Sequence, residues 1–187
     1  MIRVCLLALL GLAVLAMVAR NLPEYLRSAP DRVLEWSADA SPLDRWEGTW
    51  AGTFITYGPD GTPGAAVRRT LRYARPDAGR QLVTVTDEEA GGATRESRME
   101  QTFDGTSLRS RRTSEDGTVA LLEGRRVGGA VIWHRKDPAT GAMESFRERI
   151  ISTSEGAMLT VDGVRVTGGG APQLFEGRYH RLDQDRD

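Results

Sequence analysis

Short segments rich in β-branched and aromatic residues alternate with polar turns from Trp46 to Leu182. The turns contain glycine, proline and aspartate, as in Gly58-Pro59-Asp60-Gly61, and such residues favour tight reversals of the chain. Between the turns, no segment is long enough for a stable helix. The pattern predicts strands over 49–57, 66–75, 80–87, 94–103, 106–113, 117–124, 129–136, 143–152, 157–166 and 172–182. Regular short strands joined by tight turns are typical of an antiparallel meander.

Polar and apolar residues share faces within these strands. One face of the fourth strand carries Ser97, Met99, Gln101 and Phe103, and one face of the fifth carries Leu108, Ser110 and Arg112. A β-sandwich core shows purer apolar stripes, whereas a barrel with a partly wet interior tolerates the mixture. The sequence therefore predicts an all-β fold, an antiparallel up-and-down meander that closes into a barrel of about 8–10 strands.

An uncharged apolar run from Val4 to Ala19 follows Arg3 and precedes Arg20. As a helix it would span roughly 24 Å, less than the roughly 30 Å of a hydrocarbon core, so it fits a cleaved signal peptide as well as an uncleaved anchor. Both alternatives predict an exported barrel, in the bacterial periplasm or attached to the membrane and facing the exterior. The expected organisation is a signal peptide or anchor helix over 1–20, a linker with short helical turns over 21–45, the barrel over 46–183 and a polar tail over 184–187.

Charge and cysteine content exclude several classes of function. The chain has 25 basic and 26 acidic residues and a formal net charge of −1. This balance is unlike that of a nucleic-acid-binding protein, which needs a basic face. The single cysteine, Cys5, lies in the apolar run, so the predicted barrel has neither a disulfide nor a thiol nucleophile.

The segment from Trp46 to Phe54 contains Gly48-Thr49-Trp50 and resembles the opening strand of the calycin group, the lipocalins and fatty-acid-binding proteins. The resemblance implies that Trp46 and Trp50 plug one end of a lipocalin-like barrel, with Trp50 against an arginine of a late strand, Arg178 or Arg181. It also implies a small hydrophobic ligand in the lumen.

Candidate ligand-binding residues lie on the mixed faces. They are Arg69, Tyr73, Met99, Gln101 and Arg112. An inward arginine could bind an anionic head group through paired, charge-assisted hydrogen bonds, while apolar neighbours line a tail. The acidic run Asp87-Glu88-Glu89 is interpreted as a solvated loop beside a turn. We predict no catalytic residue, metal ligand or cofactor, because no nucleophile elbow or close ligand spacing is present.

These observations leave two main hypotheses. The first is a noncatalytic envelope barrel that binds a small amphipathic or lipid-like ligand in its lumen. The second is a membrane-tethered structural or interaction module with a filled barrel and an unknown protein partner. An isomerase or cyclase, or a haem-binding barrel that uses His180, has weaker support, since the first rests on fold analogy and the second on a lone histidine.

Overall fold

A computed structural model describes residues 41–137, 139–167 and 170–182. This part of the chain folds into ten strands: β1 (Gly48–Tyr57), β2 (Val67–Asp77), β3 (Arg80–Glu88), β4 (Thr94–Phe103), β5 (Leu108–Thr113), β6 (Val119–Val127), β7 (Ala130–Lys136), β8 (Met143–Thr153), β9 (Gly156–Val166) and β10 (Gln173–Leu182). Their bounds lie within three residues of those predicted from the sequence.

The strands form one closed antiparallel barrel in which each strand pairs with its neighbours in sequence. Closure comes from β1 and β10, where Ala51 lies opposite His180 and Ile55 opposite Glu176. The predicted all-β barrel is thereby confirmed. The apolar helix expected before it, and most of the linker, lie outside the described residues. Within those residues, no helix is long and apolar enough to cross a membrane.

Glycine permits the tight turn between β2 and β3. Gly79 has a φ of 77°, in the left-handed region that side chains disfavour. Its carbonyl accepts a hydrogen bond of 2.7 Å from the amide of Phe103, and an added Cβ would lie 2.6 Å from the Phe103 carbonyl oxygen. Another residue would therefore disturb both the turn and its contact with the end of β4.

Alternate residues of each strand face the lumen, as the period of two in a β-strand requires. The buried apolar core includes Trp50, Leu71, Tyr73, Val83, Val85, Leu108, Leu122, Val131, Trp133, Ile150, Leu159, Val161, Phe175 and Tyr179. Glycine makes room for the largest of these rings. A Cβ on Gly124 would lie 2.6 Å from Trp133, and one on Gly163 would lie 2.7 Å from Phe175.

The end of the barrel where β1 begins and β10 ends, here called the lower end, is filled by side chains. Leu43, Trp46 and Trp50 are fully buried there. The Trp50 indole donates a 2.9 Å hydrogen bond to the carbonyl of Trp46, and the Gln81 amide donates one of 2.8 Å to the carbonyl of Leu43. These bonds join the turn before β1 to the barrel wall and close this end to solvent.

Candidate functional site

The upper half of the lumen contains a paired arginine and aspartate. Arg69 on β2 donates hydrogen bonds of 2.6 and 2.7 Å to the two carboxylate oxygens of Asp87 on β3, its register partner. The Arg69 guanidinium also lies 3.7 Å from the centre of the Phe54 ring. Burial lowers the pKa of Arg69, but the hydrogen bonds and charge of Asp87 outweigh that effect and raise it. Arg69 therefore stays charged and already has a carboxylate partner.

A second ion pair crosses the lumen. Arg112 on β5 donates hydrogen bonds of 3.2 and 2.7 Å to the two oxygens of Glu144 on β8. The side chain of Glu144 is 7% exposed and that of Arg112 25%. The two strands are three steps apart in the ten-strand wall, so the ion pair joins parts of the upper rim that are not adjacent.

The structure differs from the sequence interpretation at Asp87. Asp87 is not part of a solvated loop, because it pairs with Arg69 inside the barrel. Both proposed anion-binding arginines have a carboxylate partner in the protein itself. A carboxylate ligand would have to displace Asp87 or Glu144.

A buried carboxyl group, Glu148 on β8, lies at the centre of the lumen wall. It is 3% exposed and accepts a 2.8 Å hydrogen bond from the Trp133 indole. Burial raises the pKa of Glu148 to about 7, although the bond from Trp133 acts in the opposite direction. Glu148 therefore changes between its neutral and charged forms near neutral pH.

Two tyrosines bring their hydroxyl groups towards this carboxyl group. Tyr73 on β2 and Tyr179 on β10 are almost fully buried. In the part of the chain that the structure describes, neither hydroxyl meets the distance and angle of a hydrogen bond, although the Arg69 guanidinium interacts with that of Tyr179. Burial raises the pKa of Tyr73 well above its usual value, and the negative charge of Glu148 raises it further. Burial also raises the pKa of Tyr179 to about 12, against the charge of Arg69. Both phenols are therefore protonated at physiological pH.

Glycine sets the position of the Tyr179 hydroxyl. A Cβ on Gly177 would lie 2.1 Å from the Tyr179 oxygen, so the ring lies over the Gly177 backbone. Gly177 is level with Val161, which is level with Glu148. The hydroxyl therefore reaches the row of the wall that carries Glu148.

The other predicted lumen residues face the interior at a lower level or pack against the core. Gln101 is buried opposite Gln81 in the β3–β4 register, and the side-chain oxygens of both lack a hydrogen-bond partner, as does Ser110 Oγ. Met99 is partly buried and packs against the apolar cluster. Tyr73 also stacks on Trp46, with ring centroids 6.4 Å apart.

Aromatic rings line the upper half of the lumen beside the ion pairs. The ring centroid of Phe175 lies 5.6 Å from that of Phe54 and 6.1 Å from that of Phe146. Phe54 and Phe146 are partly exposed, unlike the fully buried tryptophans of the lower end. Solvent therefore reaches apolar surface from the upper end of the barrel.

At the lower end, the arginine near Trp50 is Arg181 and not Arg178. The Arg181 guanidinium lies 5.5 Å from the Trp50 ring centroid and donates to the Glu47 carbonyl. Arg178 lies between Gly177 and Tyr179, which face the lumen, so its side chain points outward and is exposed. Trp46 and Trp50 fill the end as described above.

Several further polar residues face the lumen, and the alternation of inward and outward positions along the strands would have indicated them. Asp87, Glu144, Glu148, Tyr179 and Arg165 all alternate in step with buried apolar residues. Arg165 donates a 2.6 Å hydrogen bond to Gln173, while its Nε atom is buried without a partner. His134 and His180 are exposed, and no group of three or more metal-ligating side chains occurs in the described part of the chain.

A surface cavity of about 550 Å³ lies near the upper rim, where its lining includes Leu121, His134, Met143 and Val164. The β6–β7 ladder ends at Glu123 and His134, although β6 continues to Val119 and β7 to Lys136. The cavity lies where these two strands separate, and it reaches the rim residue Glu144.

Similar folds occur among solved structures, although no protein-family model matches the chain and no curated protein sequence does. The crystal structure of Rv2717c from M. tuberculosis has a TM-score of 0.55 and 14% identity, over 76% of this chain and 94% of that one. A de novo designed fluorescence-activating β-barrel has a TM-score of 0.35 and 16% identity, over 76% and 99% of the two chains. EF1p2_mFAP2b bound to DFHBI has a TM-score of 0.39 and 11% identity, over 78% and 98%. The likeness to Rv2717c supports the barrel fold and carries no function with it.

Proposed function

We propose that this protein is a noncatalytic binding barrel of calycin-like architecture that takes a small amphipathic or lipid-like molecule into its lumen from the upper end. The observation that carries the proposal is a set of buried polar atoms that have no hydrogen-bond partner among the described residues: Tyr73 Oη and Tyr179 Oη and, at a lower level, Gln81 Oε1, Gln101 Oε1 and Ser110 Oγ. An unpaired buried polar group costs about 1–3 kcal/mol, and native interiors rarely leave several together. Water or the polar group of a ligand would satisfy them.

The geometry limits what the ligand can be. The lower end is filled by Leu43, Trp46 and Trp50, so a long chain could not pass through the barrel. The partly exposed rings of Phe54 and Phe146 offer an apolar surface beside the polar atoms. A compact molecule with one apolar part and one polar part fits this arrangement, as in most small-molecule sites.

The interaction-module hypothesis has its own supporting observation. Outside the lumen, Leu121 is 69% and Met143 49% exposed, and both line the rim cavity of about 550 Å³. Large exposed apolar residues beside a groove are typical of interaction surfaces. This second function requires no space inside the barrel, so measurements of lumen binding separate the two.

Native mass spectrometry of the protein purified from its own host tests the first proposal, because a bound ligand adds its mass. Titration with two fluorophores then reports the ligand class: prodan, a neutral ketone, and a dansyl-labelled fatty acid. We expect binding to be weakened by Arg69→Ala and Arg112→Ala, which leave Asp87 and Glu144 unpaired in the lumen. Arg109→Ala serves as the control, because Arg109 is exposed.

An unliganded mass spectrum, together with no binding of either fluorophore above background, would leave the interaction module as the better explanation.

Export is tested separately. A reporter that is active only outside the cytoplasm, fused after Leu182, should be active in the full chain and inactive when residues 1–20 are deleted. Equal activity in both fusions would contradict the proposed location.

A further inference from the structure

Three side chains that can carry an O–H donor, Tyr73, Tyr179 and Glu148, are buried on the lumen side of the barrel wall. The charge of Glu148 acts on the pKa of both Tyr73 and Tyr179, so all three groups lie within electrostatic range of one another. Trp133 occupies one oxygen of the Glu148 carboxyl group. Within the described residues neither tyrosine hydroxyl meets the distance and angle of a hydrogen bond, although the Arg69 guanidinium interacts with the Tyr179 hydroxyl. These groups belong to β2, β8 and β10, which lie on different parts of the barrel wall.

The charged neighbours of this volume are already paired. Arg69 faces Tyr179 and Tyr73, but its guanidinium is bound to Asp87 at 2.6 and 2.7 Å. Asp87 in turn acts on Tyr179. Phenols at physiological pH donate a proton, and a neutral carboxylic acid donates one as well. The three side chains therefore supply up to three O–H donors to the lumen.

We propose that Tyr73, Tyr179 and Glu148 form a subsite that binds a neutral hydrogen-bond-accepting oxygen, a carbonyl, of an aromatic or alicyclic ligand. This inference rests on the proposed lumen-binding function and names its ligand class. The body of the ligand lies against the ring of Phe175 and its two aromatic neighbours, whose centroids are 5.6 and 6.1 Å from it. Donors aimed at one oxygen in a site of low dielectric bind it more strongly than water does.

Protonation of the carboxyl group gives the subsite a pH dependence. The raised pKa of Glu148, about 7 through burial, means that the group is a donor at pH 6 and largely an acceptor at pH 8. An ionised Glu148 would repel a carbonyl oxygen. Carbonyl binding should therefore weaken as the pH rises, while Arg69 stays charged and both tyrosines stay neutral over this range.

Two ligands of the same shape test the proposal: acetophenone, which has a carbonyl oxygen, and α-methylstyrene, which has a methylene group in its place. NMR titration of the full chain measures both affinities, and the infrared carbonyl stretch of bound acetophenone reports hydrogen bonding directly. We expect acetophenone to bind at pH 6 with a carbonyl band at lower wavenumber than in water. Tyr73→Phe and Tyr179→Phe should each weaken its binding roughly threefold to tenfold, without weakening that of α-methylstyrene.

Two further variants make the test specific. Glu148→Gln retains a hydrogen-bonding side chain but cannot ionise, so it should abolish the loss of acetophenone affinity between pH 6 and 8. Tyr57→Phe is the matched control and should change nothing, since the Tyr57 hydroxyl bonds to Glu176 at 2.5 Å and not to the lumen cluster. Unchanged α-methylstyrene binding shows that each variant is folded.

The outcomes separate this inference from the function on which it rests. If both ligands bind and the tyrosine variants affect them equally, the barrel binds ligands but the carbonyl subsite is wrong. If neither ligand binds the parent protein at either pH, the carbonyl subsite is wrong, and the mass spectra and fluorophore titrations decide the lumen-binding function separately. Acetophenone binding that strengthens from pH 6 to pH 8 would overturn the role of Glu148 as a donor.

Discussion

The stability of Glu148→Gln relative to the parent should increase as the pH rises, because the parent contains a buried carboxyl group that must ionise at high pH. Glu148 is 3% exposed, and its one hydrogen bond comes from Trp133, at 2.8 Å. Glutamine keeps an oxygen that accepts this bond, and it has nearly the same volume. The substitution therefore removes the ionisation and little else.

The magnitude follows from the two pKa values of the carboxyl group. In the unfolded chain the ordinary value is about 4.5, and in the barrel burial raises the pKa of Glu148 to about 7. Between these values the folded protein holds a proton that the unfolded chain has lost, so stability falls as the pH rises. The stabilisation is complete below pH 4.5 and lost above pH 7. It amounts to roughly 3 kcal/mol at about 1.4 kcal/mol per pKa unit, most of it between pH 5 and 8.

Urea denaturation of parent and variant at pH 5 and pH 8 measures the effect. The difference between the two proteins cancels the titration of all other groups, provided that the substitution leaves them unchanged. Asp104, whose pKa is lowered to about 2 by hydrogen bonds from Ser107 and Thr106, titrates below this range in any case. We expect the free energy of unfolding of the parent, relative to the variant, to fall by about 2–3 kcal/mol from pH 5 to pH 8. Equal pH profiles for the two proteins would refute the buried, neutral carboxyl group.

Three further substitutions test the packing and pairing of the lumen, each by urea denaturation. Trp50→Ala should destabilise the barrel by about 3–5 kcal/mol, since Trp50 is fully buried; an unchanged midpoint would contradict its role as a plug. Arg69→Ala should cost about 1–3 kcal/mol by leaving a partly buried carboxylate unpaired, and a neutral result would mean that the ion pair is mainly solvated. Gly124→Ala should cost about 1–3 kcal/mol through overpacking, because the new Cβ would lie 2.6 Å from a tryptophan ring. Gly91→Ala is its control, since a Cβ there meets no atom within 4 Å.

The strands and the closure of the barrel could be predicted from the sequence because both depend on local signals. Inward and outward side chains alternate with a period of two along each strand, and glycine-rich turns mark the strand ends. A meander whose last strand pairs with β1 leaves no strand edge unpaired. The same local rule did not give the partner of Arg69. A regular ladder from the closing pair Asp77 and Arg80 would place Arg69 opposite Glu88. A register shift between Ala74 and Asp77 places it opposite Asp87 instead.

Contacts across the lumen could not be found in this way. Arg112 and Glu144 are 32 residues apart in the chain and meet only because the wall curves back on itself. The neutral state of Glu148 likewise depends on which rings cover it. The choice of Arg181 over Arg178 was predictable, however, because Arg181 faces the same side of β10 as the buried Tyr179 and lies opposite Trp50 in the register.

The internal ion pairs affect which class of ligand the polar residues of the lumen can bind. Arginines on an inner face suggest a receptor for anions, but here each of the two is bound by a carboxylate of the protein, at 2.6 Å for Arg69 and 2.7 Å for Arg112. An anionic ligand would replace one carboxylate by another, leave the displaced group partly buried and unpaired, and lose its own translational freedom. A neutral oxygen at Tyr73 and Tyr179 displaces no existing bond and satisfies hydroxyl groups that lack a hydrogen-bond partner in the described part of the chain. The lumen should therefore disfavour anions, because its arginines already bind carboxylates of the protein. It should favour a neutral acceptor, because its tyrosine hydroxyl groups can still donate hydrogen bonds.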